Sequence, residues 1–136
     1  MPQQALQYGI SVDVALPYEQ AVERAREELA KDGFGILTEI DVKATLKTKL
    51  DVEFRPYVIL GACNPPLAHQ ALSAERDIGL LLPCNVIVYA ADNPAHSVVA
   101  AIDPIKQLEL SGNTGIEPIA RDVRARLEQV LRRIAA

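Results

Sequence analysis

Two apolar segments of the sequence, residues 79–89 and 96–102, are separated by a connection that is too short to carry a helix. The connection includes the tetrapeptide ADNP at residues 91–94, whose residue types are typical of a hairpin turn. Parallel neighbours in a sheet need a crossover of roughly a dozen residues, whereas antiparallel neighbours need only such a turn. The two segments therefore predict an antiparallel pair of strands.

Three further segments have strand patterns, residues 6–14, 35–42 and 55–62. The first two alternate apolar and polar residues, as half-buried strands do. The third contains the run YVIL, which is apolar on both faces and is typical of a strand in the middle of a sheet. Together with the hairpin, these segments predict a mainly antiparallel sheet of about five strands.

Helical patterns lie between and after these strands. An amphipathic segment ends at Gly33, residues 43–51 fit one or two turns, and an apolar stripe predicts a C-terminal amphipathic helix over about residues 115–134. Residues 64–65 and 103–104 each place a capping side chain before a proline, which is a usual start of a helix. The first, second and last helices are therefore expected to cover one face of the sheet.

The order of these elements predicts the fold class. Strands and helices occur in mixed order with a hairpin, which favours an α+β fold over a doubly wound sheet. The chain has 136 residues, enough for one core of ordinary size but not two. We therefore expect a single α+β domain over residues 1–136, with helices packed on one face of the sheet. An uncovered face or edge would favour a homodimer.

Charge and hydropathy disfavour several classes of partner. The net charge is -4, with 14 Lys and Arg against 18 Asp and Glu, so no overall positive field exists to attract nucleic acid. The longest apolar stretch, residues 78–91, is interrupted by Pro83 and Asn85 and is too short to cross a bilayer. The first residues lack the pattern of an export signal, so we expect a cytoplasmic protein with two free thiols.

Three ordered motifs resemble a known family. They are LGACNP at residues 60–65, IGLLLPCNVIVY at 78–89 and AIDP at 101–104. Over about residues 8–110 they make the chain similar to the domain of unknown function 302 family of bacteria and archaea. The resemblance implies a compact α+β domain that forms a homodimer, with no assigned reaction and no known cofactor.

The motifs contain two Cys-Asn pairs at predicted strand ends, and these mark a candidate ligand-binding site. If the two strand ends are neighbours, the amides beside each thiol offer hydrogen-bond donors and acceptors to one ligand. We therefore expect a homodimeric domain that binds a small ligand or a protein partner at this place. The predicted site consists of Cys63, Asn64, Pro65, Pro83, Cys84 and Asn85.

Two other functions are compatible with the same residues. Helix amides next to Cys63 would lower its pKa, so Cys63 and Cys84 could serve a thiol-redox or metal-binding protein. The chain has only His69 and His96 as further soft ligands, and the usual zinc spacings are absent, so no intrachain metal site is predicted. The third possibility is a purely structural domain for assembly, in which the cysteines are small core residues.

Overall fold

The computed structural model describes residues 4–136, and an antiparallel sheet forms its centre. The strands are β1 Gln4–Ala5, β2 Gly9–Val14, β3 Gly35–Asp41, β4 Tyr57–Cys63, β5 Cys84–Ala90 and β6 Ser97–Ile102. Their order across the sheet is β1-β2-β6-β5-β4-β3, and all neighbouring pairs are antiparallel. This confirms the predicted sheet of about five strands, to which the two-residue β1 adds a short edge.

Within residues 4–136, five α-helices and two short 3-10 helices lie between and after the strands. The α-helices are α1 Tyr18–Lys31, α2 Val42–Leu50, α3 Pro65–Ala74, α4 Pro104–Glu109 and α5 Glu117–Ala135, and the 3-10 helices are Arg76–Leu81 and Thr114–Ile116. As predicted, Asn64 and Asp103 cap α3 and α4, because their side chains accept main-chain N–H groups of Leu67 and Ile105. None of these described helices has the length and hydropathy of a membrane span.

The hydrophobic core lies between one face of the sheet and the helices α1 and α5. Side chains alternate along each strand, so one set from β2, β4, β5 and β6 points at the two helices. Each fully buried aliphatic side chain in such a layer contributes about 1.5–3 kcal/mol to stability. The largest of these side chains are Val12, Leu29, Leu60, Val86, Val88, Val99, Leu127, Val130, Leu131 and Ile134.

The opposite face of the sheet, here called the outer face, is less covered. At its centre Ile59 and Ile87 are paired in register and half-buried, and the rings of Tyr57 and Tyr89 stack with centroids 5.4 Å apart. No residue of α2 is buried, so this helix does not extend the core. The helices α1 and α5, which share the core with the sheet, therefore pack on one of its faces, as the sequence predicts.

One predicted strand begins later than its pattern indicates. Residues 79–81 belong to the 3-10 helix Arg76–Leu81, and β5 begins only at Cys84. Pro83 has no N–H to donate to a sheet ladder. The side chain of Gln107 instead donates to the carbonyl oxygens of Leu81 and Pro83, so this segment is held by α4 and not by a strand.

Candidate functional site

A cavity of about 330 Å³ opens between α3, the 3-10 helix Arg76–Leu81 and the adjoining ends of β4 and β5. Side chains from α4 and α5 close its far side, among them Leu108, Ile119 and Val123. The volume lies at the lower end of the range of about 300–1,000 Å³ that is typical of small-molecule sites. The fold therefore provides a preformed space of ligand size at one end of the sheet.

Small side chains create this space. Helix α3 presents Ala68 and Ala71 to the cavity, and the sheet presents Ala62 near the end of β4. Residues three and four apart on a helix share a face, so these two alanines lie on the cavity side of α3 beside Leu67 and Leu72. The helix is held there by its cap, because the Asn64 side chain accepts the N–H of Leu67 at 3.3 Å.

Asn64 also ties α3 to the end of α1. Its amide nitrogen Nδ2 donates to the carbonyl oxygen of Asp32 at 3.4 Å, and its Oδ1 is the cap acceptor. A Cβ on Gly33 would lie only 3.1 Å from Nδ2, so the glycine with φ 81° at the end of α1 makes room for this amide. Asn64 therefore positions the wall of the cavity.

Cys84 is a buried thiol in the cavity wall. Its Sγ donates to Oε1 of Gln107 at 3.6 Å, and the amide nitrogen of the same glutamine holds the main chain on either side of Leu82. Burial, with a smaller contribution from nearby Cys63, raises the pKa of Cys84 to about 12. The thiol is therefore protonated at neutral pH.

Cys63 borders the cavity from the last position of β4 and is only half-buried. Burial raises its pKa, which is opposite to the direction that an activated thiolate requires. Burial is the cause of this shift, and the N–H of Leu67 in the first turn of α3 is bonded to the Asn64 oxygen. Both cysteines are free, and in the register of β4 and β5 it is Ala62, not Cys63, that lies opposite Cys84.

The structure brings together four of the six predicted site residues. Cys63, Asn64, Pro83 and Cys84 all line the cavity. Pro65 is exposed in the first turn of α3, outside the cavity lining. Asn85 is also exposed and outside the lining, because successive residues of a strand point to opposite faces and Cys84 points inward.

Gly61 matters for the shape of the same region. A Cβ at this position would collide with Oγ1 of Thr38 and would lie 2.9 Å from Cγ of Pro83. Thr38 and Pro83 both line the cavity, so the missing side chain lets them approach β4 closely. The glycine of the LGACNP motif therefore has a steric role beside the site.

Most of the cavity lining escaped the sequence analysis. The helical and loop residues that form it are apolar, and their spacing is that of ordinary core residues. Among the lining residues, Phe34 stands between Gly33 at the end of α1 and Gly35 at the start of β3, a local pattern that could have marked it. The lining residues that were missed include Phe34, Leu67, Ala71, Leu82, Leu108, Ile119 and Val123.

The two histidines lie away from this site. His69 is exposed on α3, and His96 lies in the turn before β6, and neither lines the cavity. Within residues 4–136, no group of three or more His, Cys, Asp or Glu side chains is close enough to hold a metal ion.

Comparisons with known proteins give a family but no activity. A family model described as "Domain of unknown function DUF302" matches residues 10–134. The crystal structure of an uncharacterized conserved protein DUF302 from Bacillus stearothermophilus is similar, with a TM-score of 0.86 and 29% identity. That match covers 95% of this chain and 99% of the other. Comparison with curated proteins found no match.

Proposed function

We propose a function for this chain from its own cavity. The chain belongs to the family described as domain of unknown function DUF302, and this family supplies no named activity. The match to the family model confirms the family that the three sequence motifs indicated. The protein is a homodimeric domain that binds a small molecule in the cavity bordered by Cys63, Asn64, Pro83 and Cys84.

The observation that carries this proposal is the cavity itself. Protein interiors are packed as densely as organic crystals, and an empty apolar volume normally costs stability. Apolar cavities of about 150 Å³ already bind small aromatic molecules. A cavity of about 330 Å³ that opens to solvent is therefore large enough for a small organic ligand.

The walls are also organised as a binding site requires. They come from separate elements that side-chain hydrogen bonds hold in place, Asn64 between α1 and α3 and Gln107 between α4 and the start of β5. A site whose walls are fixed in this way binds with less loss of conformational entropy. The polar groups near the cavity thus support a preorganised shape.

The outer face of the sheet supports the homodimer. The stacked pair Tyr57 and Tyr89 lies beside Phe54, whose ring centroid is 6.1 Å from that of Tyr57. The Arg55 guanidinium lies 6.0 Å from the centroid of the Tyr89 ring. Aromatic residues and arginine are enriched at interfaces, and a two-fold dimer uses the same patch on both copies. A second copy of this chain is therefore the occupant that we assign to this face.

A thiol-redox or metal-binding protein is the second candidate. Its supporting observation is that Cys63 reaches the cavity while remaining partly open to solvent. Its thiolate is disfavoured by burial, which raises the pKa. Cys63→Ser separates the two functions, because a binding cavity should keep its affinity while thiol or metal chemistry should be lost.

The two free thiols also support the cytoplasm, a reducing compartment, as the location.

The proposed function is tested with the neutral fluorescent probe N-phenyl-1-naphthylamine. We expect the wild-type protein to bind the probe, and Ala68→Leu to weaken binding at least tenfold because the longer side chain fills the cavity. Gln70→Leu is the control, since it makes a similar change on the exposed side of α3. Circular dichroism and thermal melting establish that each variant is folded.

Two results of this binding experiment would contradict the proposal. A wild-type protein that does not bind the probe, or a folded Ala68→Leu variant that binds it as well as the wild type, places no ligand in this cavity. Organic extraction of the purified wild-type protein followed by mass spectrometry gives an independent readout. A molecule recovered from the wild type but not from Ala68→Leu would support the proposal.

A further inference from the structure

We propose that the cavity selects an uncharged ligand with an aliphatic body and at most one small neutral polar group, such as a hydroxyl or a carbonyl. This inference rests on the proposed function, because it names the class of molecule that the same cavity takes. Molecules with a carboxylate, a phosphate or an ammonium group are excluded from the class.

The charge of the lining is the first argument. No Asp, Glu, Lys, Arg or His is among the described residues that border the cavity. A charged group that leaves water for such an environment loses its hydration and gains no opposite charge. A neutral aliphatic group, by contrast, gains about 0.8 kcal/mol for each CH₂ that it buries. The lining therefore penalises ionic ligands and favours apolar ones.

Most polar side-chain atoms at the cavity already have hydrogen-bond partners. Both ends of the Asn64 amide are hydrogen-bonded, and the Cys84 thiol donates to Gln107. Among the described residues, Thr38 and Cys63 are the lining residues whose side-chain polar atoms have no hydrogen bond. These two can serve one small hydroxyl or carbonyl group, but they supply no charge, since burial raises the pKa of Cys63.

The rim of the cavity gives the third argument. Leu37 and Leu72 border the opening and are 66% and 43% exposed, and Leu80 on the neighbouring 3-10 helix is 88% exposed. Exposed leucines at the edge of a cavity add apolar surface there. The lining residues at this edge carry no charge, so they favour contact with an aliphatic body.

The inference is tested with three competitors that share one chain and differ in the head group. 1-Octanol, octanoate and octylammonium are titrated against bound N-phenyl-1-naphthylamine at neutral pH, below the solubility limit of the alcohol and the micellar concentrations of the two ions. We expect 1-octanol to compete at least tenfold better than either ion. Octanoate or octylammonium competing as well as 1-octanol would overturn the inference, and so would failure of all three to displace a bound probe.

A charge placed at the rim tests the physical reason. Leu72→Arg puts a cation at the opening, where the partly exposed position tolerates a long side chain. We expect octanoate to gain at least fivefold in affinity relative to 1-octanol, whereas Ser73→Arg, outside the lining on the same helix, should leave the ratio unchanged. An unchanged ratio in a folded Leu72→Arg protein would contradict the inference. Failure of the probe to bind the wild type contradicts the proposed function instead, so the two failures are distinguishable.

Discussion

The two thiols of the cavity differ in how far solvent reaches them. Cys84 is only 8% exposed and donates to Gln107, whereas Cys63 ends a strand and is half-buried. Burial is the leading cause that raises the pKa of both groups. Since only the thiolate is a nucleophile, neither residue is activated in the free protein.

This difference predicts how the native protein reacts with iodoacetamide. Cys63 should be alkylated more slowly at neutral pH than a free thiol with a pKa of about 8.5, and faster as the pH rises. Cys84 should be labelled only after unfolding, because it is buried and has a pKa of about 12. Mass spectrometry of the two peptides follows each rate across pH, with a short cysteine peptide as reference. An apparent pKa of Cys63 below that of the reference would support the thiol-redox function.

At the level of elements, a charged cluster joins the C-terminal helix to α1. Glu28 is buried and accepts hydrogen bonds from Lys31 at 2.8 Å and from Arg133 at 2.6 Å. Arg133 also donates to the carboxylate of Asp32 at 2.8 Å. Hydrogen bonds from Lys31 and Arg133 lower the pKa of Glu28 below its usual value. The cluster fixes how α5 lies against α1 and, through α5, one side of the cavity.

The lowered pKa of Glu28 gives a stability prediction with a definite sign. The carboxylate is favoured in the folded state, so its contribution is complete above the pKa of the unfolded chain and is lost as the pH falls through the folded pKa. Glu28→Gln should lower the free energy of unfolding by about 1 kcal/mol at neutral pH. In urea denaturation the difference from the wild type should shrink as the pH falls from neutral to acid, through the lowered pKa of Glu28.

Glu27→Gln is the matched control for this experiment, because Glu27 is the exposed neighbour on the same helix. It should leave the urea midpoint nearly unchanged at both pH values. A difference between Glu28→Gln and the wild type that persists at acid pH would mean that packing, and not the carboxylate, accounts for the effect.

On the scale of the whole molecule, the proposed ligand site and the proposed dimer interface lie at different places on the sheet. Its inner face packs on α1 and α5, and the cavity lies at the end where β4 and β5 meet α3. Its outer face carries the half-buried pair Ile59 and Ile87 and the aromatic stack. None of these four residues lines the cavity, so the proposed ligand site and the proposed dimer interface do not share them.

The homodimer is tested at the centre of the outer face. Ile87 pairs with Ile59 on one side and with Ala100 on the other, so Ile87→Asp places a carboxylate in the middle of the proposed interface. We expect sedimentation velocity to show a dimer for the wild type and a monomer for Ile87→Asp, since a buried unpaired charge is costly. Gln20→Asp, on the exposed side of α1, should remain a dimer.

Ile59→Asp repeats the change on the neighbouring strand and serves if Ile87→Asp does not fold. A monomeric wild type, or folded Asp variants that stay dimeric, would show that the outer face does not hold a second copy. Probe binding by the monomeric variants would further establish that the cavity works within one chain.

Much of this fold follows from local properties of the sequence. Alternation of apolar residues predicted the strands, and the short turn before β6 required antiparallel pairing. Asn64 and Asp103 were identifiable as caps because a cap depends on a side chain and on main-chain groups only a few residues away. The same locality allowed the three motifs to indicate the family, since each is a contiguous string.

Contacts between distant segments decided the rest. The apolar run before Cys84 does not form one continuous strand, and the side chain of Gln107, 26 residues from Leu81, donates to the Leu81 carbonyl oxygen there. No pattern within the run reveals this contact. An apolar residue has the same spacing whether it fills the core or lines a cavity, so the walls of the site could not be predicted. Asn85 was wrongly placed in the site for a related reason. The sequence shows that neighbouring residues of a strand point to opposite faces, but it does not show which face points toward the cavity. Periodicity gives each residue a face, but only packing against the other elements determines what that face meets.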